Sequence, residues 1–178
     1  MDLSKNARRW FVDATFKVVK APFTQLWSVH TFVKADQETK QVPLAFALMR
    51  GKRRRDYQAV LRALKGELER LHGEGASFDL EAVLTDFEAA VWGAFHHVFP
   101  AVEMRGCNFH WGQAVFRKIQ ELAMQPGFQN DPGLNQYCKQ ILALPYLPWE
   151  LIDPTLTELE YEATIEGQHH LCAYVRQT

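Results

Sequence analysis

At 178 residues, with 47% hydrophobic and 23% charged side chains, the chain is long enough for one core of ordinary size and too short for two full domains. Twenty basic residues against 21 acidic ones give a net charge of -1, which excludes the global excess of base of a small obligate nucleic-acid binder, so any such partner must be met by a local patch. Three scattered cysteines (Cys107, Cys138, Cys172) do not make a disulfide framework and favour a reducing, intracellular compartment. No apolar leader and no run of ~18 apolar residues stands in the sequence, so neither signal-led export nor a membrane span is expected.

Charge is uneven. Residues 1–55 carry 12 basic and 4 acidic side chains, a local balance of +8, whereas 56–178 carry 8 and 17, a balance of -9. A field is felt locally, so the first third can face phosphate although the whole chain is nearly neutral. Within it, Trp10–Val19, Phe23–Val33 and Val42–Met49 are rich in β-branched and aromatic residues and read as three strands. Their short polar links, Lys20–Pro22 and Lys34–Lys40, predict an antiparallel meander.

The period then changes. Tyr57, Val60, Leu61, Leu64, Leu68 and Leu71 recur every three or four residues, an amphipathic helix stopped at Gly73 and Gly75. Leu80–Leu84 is a short apolar strand, followed by Thr85-Asp86-Phe87-Glu88 and a helical pattern ended by Pro100. Ala101–Met104 reads as a fifth strand, and a helix is expected from near Cys107 to about Met124. Beyond it Pro126, Pro132, Pro145, Pro148 and Pro154 punctuate short helices, and Glu150–Glu166 holds six acids and no Lys or Arg. This order predicts an α/β mixed sheet, three antiparallel strands plus two parallel ones, with flanking helices and a C-terminal helical segment. Ligands of such sheets sit at the rim formed by the carboxyl ends of the parallel strands.

Four groups of residues can carry chemistry. Asp13 is an acid inside a strand, where Asp is depleted; alternation sets it with Phe11 and Thr15 on one face, and that face can simply meet water. Asp86 follows a strand directly; Thr85 and Glu88 also have capping-box spacing, which would make Asp86 ordinary helix-start chemistry. Together, on adjacent strands, the two carboxylates can share a divalent cation, since Mg²⁺ takes one or two carboxylates and keeps water for the substrate. Cys107 and His110 are i,i+3 neighbours and half of a zinc site, but no second pair at finger-like spacing exists, and zinc is disfavoured. Lys52, Arg53, Arg54 and Arg55 form a basic loop that reads as solvated by default, with phosphate contact or a nuclear-import signal, and hence a nuclear setting, as the functional alternatives.

Taken together, Trp10-Phe-Val-Asp13-Ala-Thr-Phe16, Phe23–His30, Val42–Met49 with Lys52 and Tyr57, Thr85-Asp86-Phe-Glu88, Phe99-Pro100 and Gly106-Cys107-Asn-Phe-His110-Trp-Gly-Gln113 resemble the MULE domain of Mutator-like element transposases over about residues 8–140. The resemblance implies an RNase H-like fold, with residues 1–125 as the core and 126–178 as a helical segment. It further implies a metal-dependent DDE enzyme that cuts and joins DNA using Mg²⁺ or Mn²⁺, with transposon-end DNA as partner and self-association open. Asp13 matches the first acid, Asp86 the second, and Cys107 with His110 the Cys-x-x-His element that follows; Ala14 stands where the family usually has Gly. The family's catalytic Glu has no recognisable counterpart, because Glu158, Glu160, Glu162 and Glu166 fall where an insertion is expected. The chain is therefore expected to be an incomplete or inactive copy of the enzyme, and the competing expectation is a non-catalytic module, derived from such a core, that binds DNA or protein.

Overall fold

The computed structural model describes residues 7–35, 38–72 and 80–177. The chain divides into two compact units, Met1–Cys107 and Asn108–Thr178.

The first unit is a five-stranded mixed sheet. Strands β1 (Arg9–Thr15), β2 (Gln25–Ala35) and β3 (Glu38–Met49) form the antiparallel meander; helix α1 (Arg54–His72), β4 (Ala82–Thr85), helix α2 (Ala89–Val98) and β5 (Glu103–Gly106) follow. The strand order is β3-β2-β1-β4-β5, and β1 pairs with β4, and β4 with β5, in parallel. The expected class and pairing are therefore those observed. Differences lie at the element ends. The β2–β3 ladder runs from Gln25↔Met49 out to Ala35↔Glu38, so most of the polar link forms strand, because cross-strand pairing satisfies its backbone groups whatever the side chains are. β5 sits two residues later than expected, and Gly73 and Gly75 lie outside the described residues.

Alternation decides which side chains make the core. Trp10 and Val12 of β1, Trp27 and Val29 of β2 and Val83 of β4 point to one face, where they meet Tyr57, Leu61 and Leu68 of α1 and Val91, Ala94, Phe95 and Val98 of α2. Trp27 packs its ring 5.7 Å from Tyr57 and 6.3 Å from Phe95, centroid to centroid.

The second unit is helical: α3 (Asn108–Glu121), α4 (Gln125–Asn130), α5 (Pro132–Ala143), a 3₁₀ turn (Leu144–Tyr146), α6 (Trp149–Glu162) and α7 (Glu166–Gln177). Most of the prolines punctuate as expected: Pro126 and Pro132 stand in the first turns of α4 and α5, and the Asp131 carboxylate caps α5 by accepting from the backbone N–H groups of Gly133 and Leu134. Pro154 does not break its segment. It stands inside the 14-residue α6, which is clasped to α7 by Arg176 donating to Asp153 at 2.7 Å, Thr157 at 2.8 Å and Glu160 at 3.0 Å.

Candidate functional site

The sheet sets the two candidate acids near the carboxyl ends of neighbouring parallel strands. β1 and β4 run in parallel through the pairs Arg9↔Ala82, Trp10↔Val83 and Phe11↔Leu84; the ladder ends there, with Asp13 two residues further along β1 and Asp86 just past the end of β4. Asp13 is exposed and on the face away from α1 and α2, as its alternation with Val12 requires. Its Oδ1 accepts the Ala14 N–H at 2.8 Å.

Asp86 is not a helix-start residue. The capping box does not form: α2 begins only at Ala89, Glu88 stands at its N-cap without a side-chain cap, and no acid lies in its first turn. Instead Asp86 is tied down by the turn. Its Oδ1 accepts from the Glu88 N–H at 3.3 Å and from Thr85 Oγ1 at 3.4 Å, and its carbonyl accepts Trp92 Nε1–H at 2.7 Å. Phe87, between them, stacks beside Trp92 and lies so close over Gly106 that a Cβ there would drive into its ring. Glycine at the end of β5 is thus what lets the turn carrying Asp86 close down on the sheet.

Behind Asp86 lies a network that the sequence pattern alone did not single out as functional. Gln25, fully buried at the start of β2, donates through Nε2 to Tyr57 Oη at 2.9 Å, and Tyr57 hydrogen-bonds the Glu88 carboxylate. Burial pushes the Tyr57 hydroxyl well above its ordinary range, so it is a fixed donor at any physiological pH. Glu88 is half-buried; desolvation and the nearby Asp86 charge raise it, while the Tyr57 hydrogen bond and Lys52 pull it back. Gln25 and Tyr57 therefore hold Glu88, whose own N–H holds Asp86. Tyr57 heads the apolar stripe of α1 and reads as packing; a glutamine within a β-rich run was the available signal.

The basic residues meet the same rim. Arg54 and Arg55 are not in a loop but in the first turn of α1, with Arg53 just before it; its backbone N–H donates to Asp56 Oδ2 at 2.9 Å. Cations at a helix N-terminus stand against the helix dipole, and Asp56 is the one acid of that turn. Lys52 Nζ sits 3.5 Å from the centre of the Phe16 ring. All four basic side chains are exposed.

Cys107 and His110 fall on different sides of the boundary between the units: Cys107, partly buried, closes the first with its N–H donating to Thr85 O at 2.7 Å, and His110 lies in the first turn of α3. Among the described residues no group of three or more His, Cys, Asp or Glu is gathered closely enough to hold a metal ion. Asp13 and Asp86 carry hard carboxylate oxygens, the donor chemistry of Mg²⁺ or Mn²⁺, and they are two donors only. No described helix is long and apolar enough to cross a membrane.

The family model of the MULE transposase domain matches residues 9–114, from the first residue of β1 into α3. No curated protein matches the chain.

Proposed function

Because the chain belongs to the MULE transposase domain family, we propose that its sheet rim is a DDE-type phosphoryl-transfer site acting on transposon-end DNA. The single observation that supports this reading is that Asp13 and Asp86 stand near the carboxyl ends of the neighbouring parallel strands β1 and β4. A divalent cation held there would supply Lewis-acid polarisation of a phosphodiester and of an attacking water or 3′ hydroxyl. Asp13 and Asp86 contribute the first ligands; the turn fixed by Tyr57, Glu88 and Trp92 keeps the Asp86 carboxylate from swinging away. Lys52, Arg53, Arg54 and Arg55 supply sequence-independent contacts to phosphates, each worth about 0.9 in the slope of log affinity against log salt.

Two carboxylates hold one Mg²⁺, and stabilising both the attacking and the leaving oxygen calls for a second ion with further carboxylate oxygen. The chain by itself is therefore expected to bind Mn²⁺ weakly and neither to nick nor to join DNA. Electron paramagnetic resonance of Mn²⁺ with Asp13→Asn and Asp86→Asn, beside a nuclease assay in Mg²⁺ and Mn²⁺, tests both statements. Loss of Mn²⁺ binding in each variant is expected; binding that survives both overturns the metal site. DNA cleavage that disappears in Asp86→Asn would show that a third acid lies within these 178 residues. The second reading, a non-catalytic DNA-binding module, is favoured by the exposed basic start of α1 and is the one left standing if neither Asp variant alters Mn²⁺ binding.

A further inference from the structure

The face of the sheet that carries Asp13 also carries aromatic rings that do not serve the core. Register sets Ser28 beside Asp13 and Phe46 beside Ser28; one row further on, His30 stands opposite Phe11, and Phe32 follows two residues along β2. Phe46 is 61% exposed and Phe32 46%. His30 packs edge-on to Phe46 at 6.0 Å and Phe11 edge-on to Phe32 at 4.8 Å, so the rings form a supported row. At its far end, a cavity of about 430 Å³ is lined by Phe11 and Phe32 together with Arg8, Arg9, Thr31 and Glu81. Arg8 is ion-paired with Glu81, which leaves this aromatic cavity with the Arg9 guanidinium as its excess charge.

We propose that this face seats an unpaired DNA strand, with one base stacked on Phe32 in the cavity beside Arg9 and a second on Phe46; this rests on the phosphoryl-transfer reading of Asp13 and Asp86. Asp13 is on this face, so a phosphodiester offered to it brings its neighbouring nucleotides across the face. Arg9 and Asp13 are four strand residues apart, ~13 Å, the length of about four stacked nucleotides. Sheet-borne aromatic rings with flanking cations are a known physical solution for single strands, because every base has a π-face and a duplex keeps its own bases stacked out of reach. An apolar protein partner would need no arginine in the cavity, and the basic balance of the first third opposes a second copy of the same face.

The test uses the whole chain in EDTA, so that binding is read without catalysis. Fluorescence anisotropy with a labelled 20-nucleotide single strand and with the matching duplex is compared for wild type, Phe32→Leu, Phe46→Leu and the double variant. Leucine keeps an exposed apolar side chain and removes the ring, so circular dichroism and Tm should stay put. Each variant should weaken single-strand binding by roughly 5- to 150-fold, the value of one lost base–aromatic stack, and leave duplex binding unchanged. Single-strand affinity unaltered in the double variant overturns the proposal; so does a wild-type dimer in analytical ultracentrifugation that the double variant dissolves, since the face is then a protein interface. Mn²⁺ binding to Asp13→Asn and Asp86→Asn is measured alongside. If those variants lose Mn²⁺ while the Phe variants change nothing, the metal site stands and the strand-binding face falls; if the Phe variants weaken the single strand while Mn²⁺ binding survives the Asp changes, the metal site falls and the face stands.

Discussion

The two faces of the sheet are written by alternate residues of the same strands and do different work. On one, Trp10, Val12, Trp27, Val29 and Val83 are sealed under α1 and α2; on the other, Asp13, Phe32, Phe46 and Leu48 stand exposed. Burial of large side chains contributes kilocalories each, and a face that supplies that stability has no freedom left for charge or for a ligand. The difference teaches that changes on the two faces should separate folding from binding. The largest effect is expected from Trp27→Ala, which empties the space between Tyr57 and Phe95 and should cost about 3–5 kcal/mol of stability. Urea unfolding followed by near-ultraviolet circular dichroism checks it, and a loss below about 1 kcal/mol, the size of an ordinary surface change, would break the comparison.

The contrast between covered and open can also be read chemically, in the thiols. Burial pushes Cys138 from its ordinary 9.0 up to about 11 and raises Cys172 as well, whereas Cys107 is partly exposed. At pH 8 the native Cys138 thiolate is thus about 100-fold scarcer than in the unfolded chain, and it is the thiolate that reacts. Native labelling with a disulfide reagent should stop at one thiol and reach three in denaturant. The sign for stability follows: the unfolded thiol ionises first, so the contribution of Cys138 is complete below pH 9 and is lost as pH rises toward 11. Rapid native labelling of all three would show that the helical unit opens far more readily than its packing implies.

Much of this was legible in the sequence because it is local or periodic. Period-two and period-3.6 patterns marked the strands and α1, and an acid inside a strand drew attention to Asp13. Asp86 was legible as an acid after a strand, but its surroundings were not. Thr85 and Glu88 have the spacing of a capping box, yet the turn around Phe87 delays α2 to Ala89, because Phe87 needs the hollow over Gly106. Pro154 looked like a break; packing of Leu156 and Leu159 and the Arg176 clasp override one missing backbone donor. The Gln25–Tyr57–Glu88 network joins residues 25, 57 and 88, and no window along the chain contains all three. It has its own test of middling size. Tyr57→Phe keeps the ring against Trp27 and removes the hydroxyl, leaving the buried Gln25 amide and the half-buried Glu88 without that partner, at a cost of about 1–3 kcal/mol. An unchanged unfolding midpoint would show that the hydroxyl does not hold the turn.

The smallest effect sharpens the comparison most, because it is expected to be nothing. Leu48 lies on β3 directly opposite Leu26, on the face of Asp13, and is 55% exposed. Its neighbours in sequence, Ala47 and Met49, point the other way into the core. If exposure is what decides, Leu48→Ser removes apolar surface that water already touches, and stability should move by no more than about 0.5 kcal/mol, with the DNA affinity of the aromatic row unaffected. Met49→Ser, one residue along the same strand and 4% exposed, takes away a core side chain that also lies 3.4 Å from Gln25 Nε2 and should cost several times as much. Thermal unfolding of the pair measures the difference between the faces at adjacent residues, with strand, register and helix contacts otherwise held constant. Equal losses at 48 and 49 would mean that something covers Leu48 in solution, and the face assigned here to binding would then be a second core.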